Sequence, residues 1–586
     1  MKKSKLIKKL FTTTLLSTLA LSNIEIVNAA GVIYTNANSN STILTDPLPF
    51  DQLFFSSASN ITFAGVINAS APGLIAIQIN QSSPTFNNTV SATNSLYGVW
   101  NNASSNSTFN KNLVVSNSAT TGIYNSNSTI TFNDSVTVNN STDYGIFINT
   151  GSPTIFNKDL YLNNNNKGML IASNAVIFTF VTINGNVTAV NNPAGDILTN
   201  GSKTYLIFNN DTILNAGITA DGSSAGIITF NGTPTINGTI GSPNPIQSIT
   251  FASNDFTKRA SLNKDINSAV IQFGGLTIGV DTALTFNGGV TTNTTVFDLT
   301  KDLTLNGALT DGSGLGISIT GPAILKIAGN NIVDSAIKAT ANGKGNVEFL
   351  GGPTINKSLG ANGVNLASVT FSAGAGNTAT LNKDIYANSI TLSGAGILKI
   401  VGNTNTFSTA IEATANGKGN VDFTGGPTIN QRLGANGVNL ASVKFSAGSG
   451  NTATLNKDIY ANLVTFGGLT VAVNTPLKII APVTTNTTRF TLNQDLTING
   501  AMTDALGTGI TISGVGKLII AGNNAINVAI KATTNGNGNL EFTGGPTINQ
   551  PLGASGVNLA SVTFSAGAGN TATLHKNINA NKVTFG

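Results

Sequence analysis

The sequence predicts an all-β chain wound as a right-handed parallel β-helix of about 23–24 residues per coil, and three observations carry that prediction. The first is a clock in the N-terminal third. Phe63, Phe86, Phe109, Phe132 and Phe156 sit in ITF, PTFN, STFN, ITFN and TIFN, spaced 23, 23, 23 and 24 residues apart. A second series, GVW at Gly98, GIY at Gly122, GIF at Gly145 and GML at Gly168, keeps the same beat out of phase. The second observation is a long segment that returns. GGPTINKSLGANGVNLASVTFSAGAGNTATLNKDIYAN, from Gly351 to Asn388, recurs with few changes at Gly425 to Asn462 and at Gly544 to Asn581. The third is the absence of sustained helical periodicity after the N-terminal leader. The chain consists instead of short alternating apolar runs parted by NG, GG, GPT and GAN turn signals.

The leader is read first. Lys2, Lys3, Lys5, Lys8 and Lys9 form a basic start, Leu10 to Leu21 a short apolar stretch, and Val27-Asn28-Ala29 a small-residue site. Together these predict a secretory signal over residues 1–29, cut between Ala29 and Ala30. Its removal takes away five lysines and Glu25, so the formal charge of +5 falls to about +1. The basic balance therefore belongs to the leader. No Lys/Arg cluster lies elsewhere, so the reading is no nucleic acid among the partners. The nearest later apolar run, Ala175 to Ile183, is too short to span a bilayer, so no transmembrane segment is expected after cleavage.

Residues 30–200 read as N-terminal β-helix coils of about 23 residues, and 201–586 as a long-repeat β-helix passenger. PTIN begins at Pro234, Pro353, Pro427 and Pro546, with gaps of 119, 74 and 119. The gaps differ by 45, which reads as whole coils gained or lost: five, three and two units of 23–24 residues. Within a coil, NVEF, NVDF and NLEF alternate apolar residues with Glu348, Asp422 or Glu541. SVTF and SVKF place Thr370, Lys444 or Thr563 between Val and Phe. A site that accepts Thr and Lys faces water, so its Val and Phe neighbours face inward. Turn asparagines are expected to stack in register and pair their amides.

The wording of GGPTIN, LGANGVNLASVTFSAGAGNTATLNKDIYAN and TLNGALTDGSG resembles the passenger region of rickettsial surface autotransporters, the outer membrane protein A/B or surface cell antigen family. The similarity covers most of residues 200–586, and residues 31–200 match in style only. FNKN at Phe109 and the GG turns are more loosely similar to chlamydial polymorphic membrane proteins. The resemblance implies an export signal, a passenger on the bacterial cell surface or outer membrane, and a C-terminal barrel translocator. It implies adhesion to host cells through a surface protein or glycan, or a role in a surface layer. The sequence given departs from that pattern. It stops at VTFG, Val583 to Gly586, where matching places run on as VTFGGLTVAV from Val464 and IQFGGLTIGV from Ile271. This reads as a truncated or split product whose barrel is supplied elsewhere, failing which it stays in the periplasm. An uncapped parallel edge invites self-association.

Chemistry is weighed against architecture residue by residue. The sole histidine, His575 in TLHKN, stands where the other copies have Asn263, Asn382 and Asn456. With no Cys and no second His, serine, cysteine and zinc arrangements are excluded. Glu348, Asp422 and Glu541 share one repeat position. Coils of 4.8 Å would separate them by about 14 and 24 Å, too far for a glycosidase pair at roughly 5–9.5 Å. The acid of NKD at Asp265, Asp384 and Asp458 is Asn577 in the last copy. GKGN at Gly343 and Gly417 lacks the phosphate-loop spacing and becomes GNGN at Gly536. DGSG at Asp311 lacks a calcium-repeat pattern, and its counterpart from Asp504 is DALG. Trp100 shares its slot with Tyr124 and Phe147, which reads as core or coil-surface packing before a ligand platform. No catalytic, cofactor-binding or metal-ligating residue is assigned and no cofactor is expected. The leading expectation is a non-enzymatic adhesin or surface antigen. The alternatives are a purely structural coat fragment, a non-functional split-gene product, or, last, a β-helical glycan-active enzyme.

Overall fold

Short runs with two or three alternating apolar residues cannot bury their inner face alone; stacked on copies of themselves, they can. The computed structural model realises this throughout. It describes residues 26–28, 31–35, 42–43, 49–50, 52–56, 61–402 and 406–586. The proposed cleavage pair Ala29 and Ala30, and the leader through residue 25, lie outside the described residues. The described residues contain no helix, and strand after strand pairs in parallel with the strand one coil before and one coil after. The chain divides into two units, 1–253 with 260–272, and 254–259 with 273–586, and each is a parallel β-solenoid of three strand faces.

In the first unit one face runs through Ile75–Asn80, Tyr97–Asn102, Thr121–Ser126, Tyr144–Ile148 and Lys167–Ala172. The second runs through Thr85–Phe86, Asn106–Phe109, Thr129–Phe132 and Thr154–Phe156. The third runs through Val90–Thr93, Leu113–Ser116, Val136–Asn139 and Leu160–Asn163. The phenylalanine clock is the axial ladder of the second face. Phe63, Phe86, Phe109, Phe132 and Phe156 are buried and stack ring on ring, with centroids 5.4, 4.5, 5.3 and 5.0 Å apart. Burial of such a side chain contributes about 1.5–3 kcal/mol, and offset stacking adds about 0.5–1.5 kcal/mol per pair.

Asparagine supplies the second kind of ladder, because an amide can donate to one coil while accepting from the other. Asn87, Asn110, Asn133, Asn157, Asn184, Asn209 and Asn231 are joined Nδ2 to Oδ1 in single file. The steps are 23, 23, 24, 27, 25 and 22 residues, so extra residues are looped out elsewhere while the ladder keeps register. A parallel file joins Asn94, Asn117 and Asn140, whose φ values of 49°, 57° and 56° suit Asn better than any branched residue. Inside the core, Asn101 Nδ2 donates to Asn125 Oδ1 at 2.9 Å and to the Thr129 carbonyl. Asn125 Nδ2 in turn donates to Thr154 Oγ1, so both buried donors are satisfied.

In the second unit the repeats do not keep one face. The strand of the first copy, Lys344–Phe349, continues through Leu366–Phe371, Ile390–Leu392 and Ile411–Ala413. The matching strand of the second copy, Lys418–Phe423, lies on the neighbouring face, stacked on Ile397–Ile400 and Thr378–Leu381. The third copy, Asn537–Phe542, returns to the face of the first, reached through Leu433, Ile459–Tyr460, Leu477–Ile480, Leu496–Asn499 and Lys517–Ala521. The 74-residue gap is thus three coils and one face, and the following 119-residue gap five coils and two faces. This corrects the reading of whole coils gained or lost. The physical reason is that a coil holds three interchangeable strands and its length varies. Asn287 and Asn306 are 19 residues apart across one coil, and Asn356 and Asn382 are 26 apart across another.

Candidate functional site

The three repeat acids serve the stack. Glu348 accepts a hydrogen bond from Ser372 Oγ, Asp422 from Ser446 Oγ and Glu541 from Ser565 Oγ, each serine lying one coil on. The rotation of the second copy also changes their geometry. Glu348 and Glu541 share a face nine coils apart, about 43 Å at 4.8 Å per coil, with Asp422 on the next face. The single-column separations of 14 and 24 Å therefore do not hold, although the conclusion that these acids cannot pair does. Lys517 Nζ lies 2.9 Å from Glu541 Oε2 and, with Ser565, holds that carboxyl below the usual carboxylate range. A depressed folded value adds stability above the unfolded value of about 4.3, and the gain is lost as pH falls through the lower folded value. Glu541→Gln is therefore expected to lower stability by less than about 1 kcal/mol at neutral pH. In strongly acidic solution it should cost nothing. Urea melts at both pH values check this, and a penalty that persists in acid would refute the ion-pair account.

The other sequence candidates resolve into architecture. Asn263, Asn382 and Asn456 donate to Asn237, Asn356 and Asn430, so the position that His575 fills in the last copy is an amide-ladder rung. His575 is exposed, with Lys531 and Lys576 lining the same surface depression. Tyr386 and Tyr460 donate their hydroxyls to Asp384 and Asp458 two residues earlier, and burial and the neighbouring carboxylate push both phenols up. In GKGN, Gly343 and Gly345 have φ of 75° and 74°, and the Gly343 amide donates to the Asn365 carbonyl, which is turn chemistry. Asp311 spends both carboxylate oxygens on its own loop, accepting from Ser313 and from the Gly316 amide, and Asp504 does the same with Leu506 and Gly509.

What the sequence underweighted is the outer surface of the first unit. Tyr97, Trp100, Tyr124, Tyr144 and Phe147 sit at the part-exposed, outward positions of three successive strands. Trp100 is in register with Tyr124, and Tyr124 with Phe147. Ring centroids are 5.5 and 5.2 Å apart along that line, and Lys167 Nζ caps the Tyr144 ring at 5.0 Å. Such positions on a solenoid are otherwise the natural place for Thr, Ser and Lys. The glycines beside them, Gly98, Gly122 and Gly145, are packed so closely that a Cβ at Gly122 would meet the Gly145 carbonyl oxygen at 2.5 Å. Close coil contact on the inside of this face therefore comes with large rings on its outside.

A second patch follows where the clock is broken. Residues 173–178 loop out between Lys167–Ala172 and Thr179–Ile183, leaving Val176 75%, Ile177 46% and Phe178 44% exposed. Phe178 packs on Phe180 and Tyr205, and Lys203 Nζ sits 4.5 Å from its ring centre. The signal in the sequence is Ala175 to Ile183, an apolar run after the leader that is too short for a membrane span and that the fold leaves partly at the surface. Among the described residues no helix is long and apolar enough to cross a membrane.

The fold and surface define a class: a parallel β-solenoid with outward aromatic and apolar patches on one of its units. No family model matches the chain, and neither a curated protein nor a solved structure is significantly similar to it.

Proposed function

We propose that the chain is an exported, non-enzymatic passenger displayed on a bacterial cell surface, where it acts as an adhesin toward a host surface protein or glycan. The observation that carries this reading is the aromatic strip of Tyr97, Trp100, Tyr124, Tyr144 and Phe147 on an outward face, with the exposed apolar loop at 176–178 as a second patch on the same unit. Aromatic rings left at the surface of a solenoid forgo burial energy, and contiguous apolar surface of this kind marks binding sites. The resemblance of residues 200–586 to rickettsial surface autotransporters supports display and adhesion as the setting. The second copy of the long repeat is turned one face away from the first and third, so the three copies do not line one side, and this reading rests on the unrepeated strip.

The test is binding of the full chain to cultured host cells. Combined Trp100→Ala, Tyr124→Ala and Phe147→Ala substitution is expected to weaken binding by about tenfold or more, since aromatic hot spots each carry about 2 kcal/mol or more. Unchanged binding by a folded triple variant would reject the strip as the adhesive surface. A wild-type chain that binds no cell type would favour the coat reading, for which the uniform amide ladders of the surface are the supporting observation.

A further inference from the structure

The three copies of the long repeat each throw out a two-residue hairpin. Ala361 and Val364 exchange both backbone hydrogen bonds around Asn362-Gly363, and Ala435 and Val438 do so around Asn436-Gly437. Ala554 and Val557 do the same around Ser555-Gly556. The second turn residue has φ of 80°, 80° and 76°, while the first is on the ordinary side, a type II turn. In that turn the amide of the second residue points away from the strands. Among the described residues, neither the Gly363 nor the Gly437 amide makes a hydrogen bond, and apart from the glycine and its two chain neighbours no heavy atom lies within 4 Å of where either Cβ would be.

Just before each copy lies another Asn-Gly pair, at Asn342, Asn416 and Asn535. These residues are exposed like the hairpin tips, but they are tied. The Asn342, Asn416 and Asn535 side-chain oxygens accept from the amides of Asn365, Asn439 and Asn558. The following Gly343, Gly417 and Gly536 amides donate to the carbonyls of those same three residues, at 2.8, 2.8 and 2.9 Å.

We propose that Asn362 and Asn436 are sites of backbone-assisted deamidation in the folded protein, and that the tied asparagines are protected. The Gly363 amide nitrogen gives up its proton and attacks Cγ of Asn362. The new N–Cγ bond closes a succinimide, and the side-chain nitrogen leaves with the proton as ammonia. Water then opens the ring at either carbonyl, leaving aspartate or isoaspartate. Asn436 reacts in the same way through Gly437. Each event places one carboxylate on a tip that was neutral, in two copies of the three, because Ser555 has no amide to lose. The surface charge of the repeats thereby falls with the age of the molecule.

The experiment is incubation of the folded full chain at mildly alkaline pH, followed by digestion and site-resolved mass spectrometry. Asn362 and Asn436 are expected to convert about tenfold faster than Asn342, Asn416 and Asn535, equivalent to about 1.4 kcal/mol of barrier. In urea, where every pair is simply Asn before Gly, the five should converge. Asn362→Ser, copying the third repeat, should remove conversion at that tip and leave Asn436 unchanged. Equal rates at tied and tip positions in the folded chain would overturn the proposal. So would tips that react about tenfold more slowly folded than unfolded.

Discussion

Replacing Phe109 with alanine is expected to destabilise the first unit by about 3–5 kcal/mol, the usual cost of emptying a buried aromatic site. Phe109 is fully buried and stacked between Phe86 at 4.5 Å and Phe132 at 5.3 Å, so the substitution removes two ring contacts as well as one side chain. Neither neighbour can collapse into the gap, because each is fixed in register by its own strand, Phe86 against Phe109 and Phe109 against Phe132. The effect should also be local. In a solenoid each coil touches only the next, so stability is a sum of coil and interface contributions. Amide exchange should accelerate most for the strands carrying Phe86, Phe109 and Phe132, and protection in residues 273–586 should be unchanged. A loss below about 1 kcal/mol, or uniform acceleration along the whole chain, would refute the stacked-ladder account.

Gly360→Ala should cost about 2–5 kcal/mol, combining a left-handed backbone penalty of about 1–2 kcal/mol with overpacking of about 1–3 kcal/mol. Gly360 has φ of 75°, and an added Cβ would lie 2.0 Å from the carbonyl oxygen of Tyr386 on the next coil. Gly363 is its control: its φ is 80° but nothing lies within 4 Å of the added carbon. Gly363→Ala should therefore show the backbone penalty alone, about 1–2 kcal/mol. Urea midpoints of the two variants separate steric contact from conformation, and equal losses would show that coil contact at Gly360 is not the constraint. The same contact recurs at Gly434 with Tyr460 and at Gly553 with Asn579, 2.1 and 2.0 Å away. LGANG in the first two copies and LGASG in the third thus return for a physical reason: glycine for close coil approach, then Asn-Gly or Ser-Gly for the turn.

Much of this was legible because period and face are local properties. Phe63 to Phe156 recur at one beat and point inward, and no other residue needs to be known to predict that they stack. Thr370, Lys444 and Thr563 betrayed their outward position by their own chemistry, and the structure leaves Lys444 exposed and Thr370 and Thr563 half-buried between buried neighbours. The aromatic strip was half legible. Trp100, Tyr124 and Phe147 share one slot of the repeat, but the sequence does not reveal whether that slot faces the core. Each ring follows one residue after an apolar neighbour such as Val99 or Ile123, and period two alone does not choose which of the pair turns inward. The structure settles it: Gly98 and Val99, Gly122 and Ile123, and Gly145 and Ile146 are buried in consecutive pairs, so the alternation slips at each glycine and the ring that follows faces outward.

By itself, then, the sequence determined the class of fold and its inward residues, because alternation and a fixed beat can be satisfied only by stacking like on like. Tertiary structure alone decided on which face each repeat falls. A coil of 19 residues and one of 26 hold the same three strands, and the number of strands, not of residues, counts the turn. Rotation of the second copy, the separation of Glu348 from Asp422, and the tie that shields Asn342 but not Asn362 all arise from contacts one coil away in space. No local pattern in the chain encodes them.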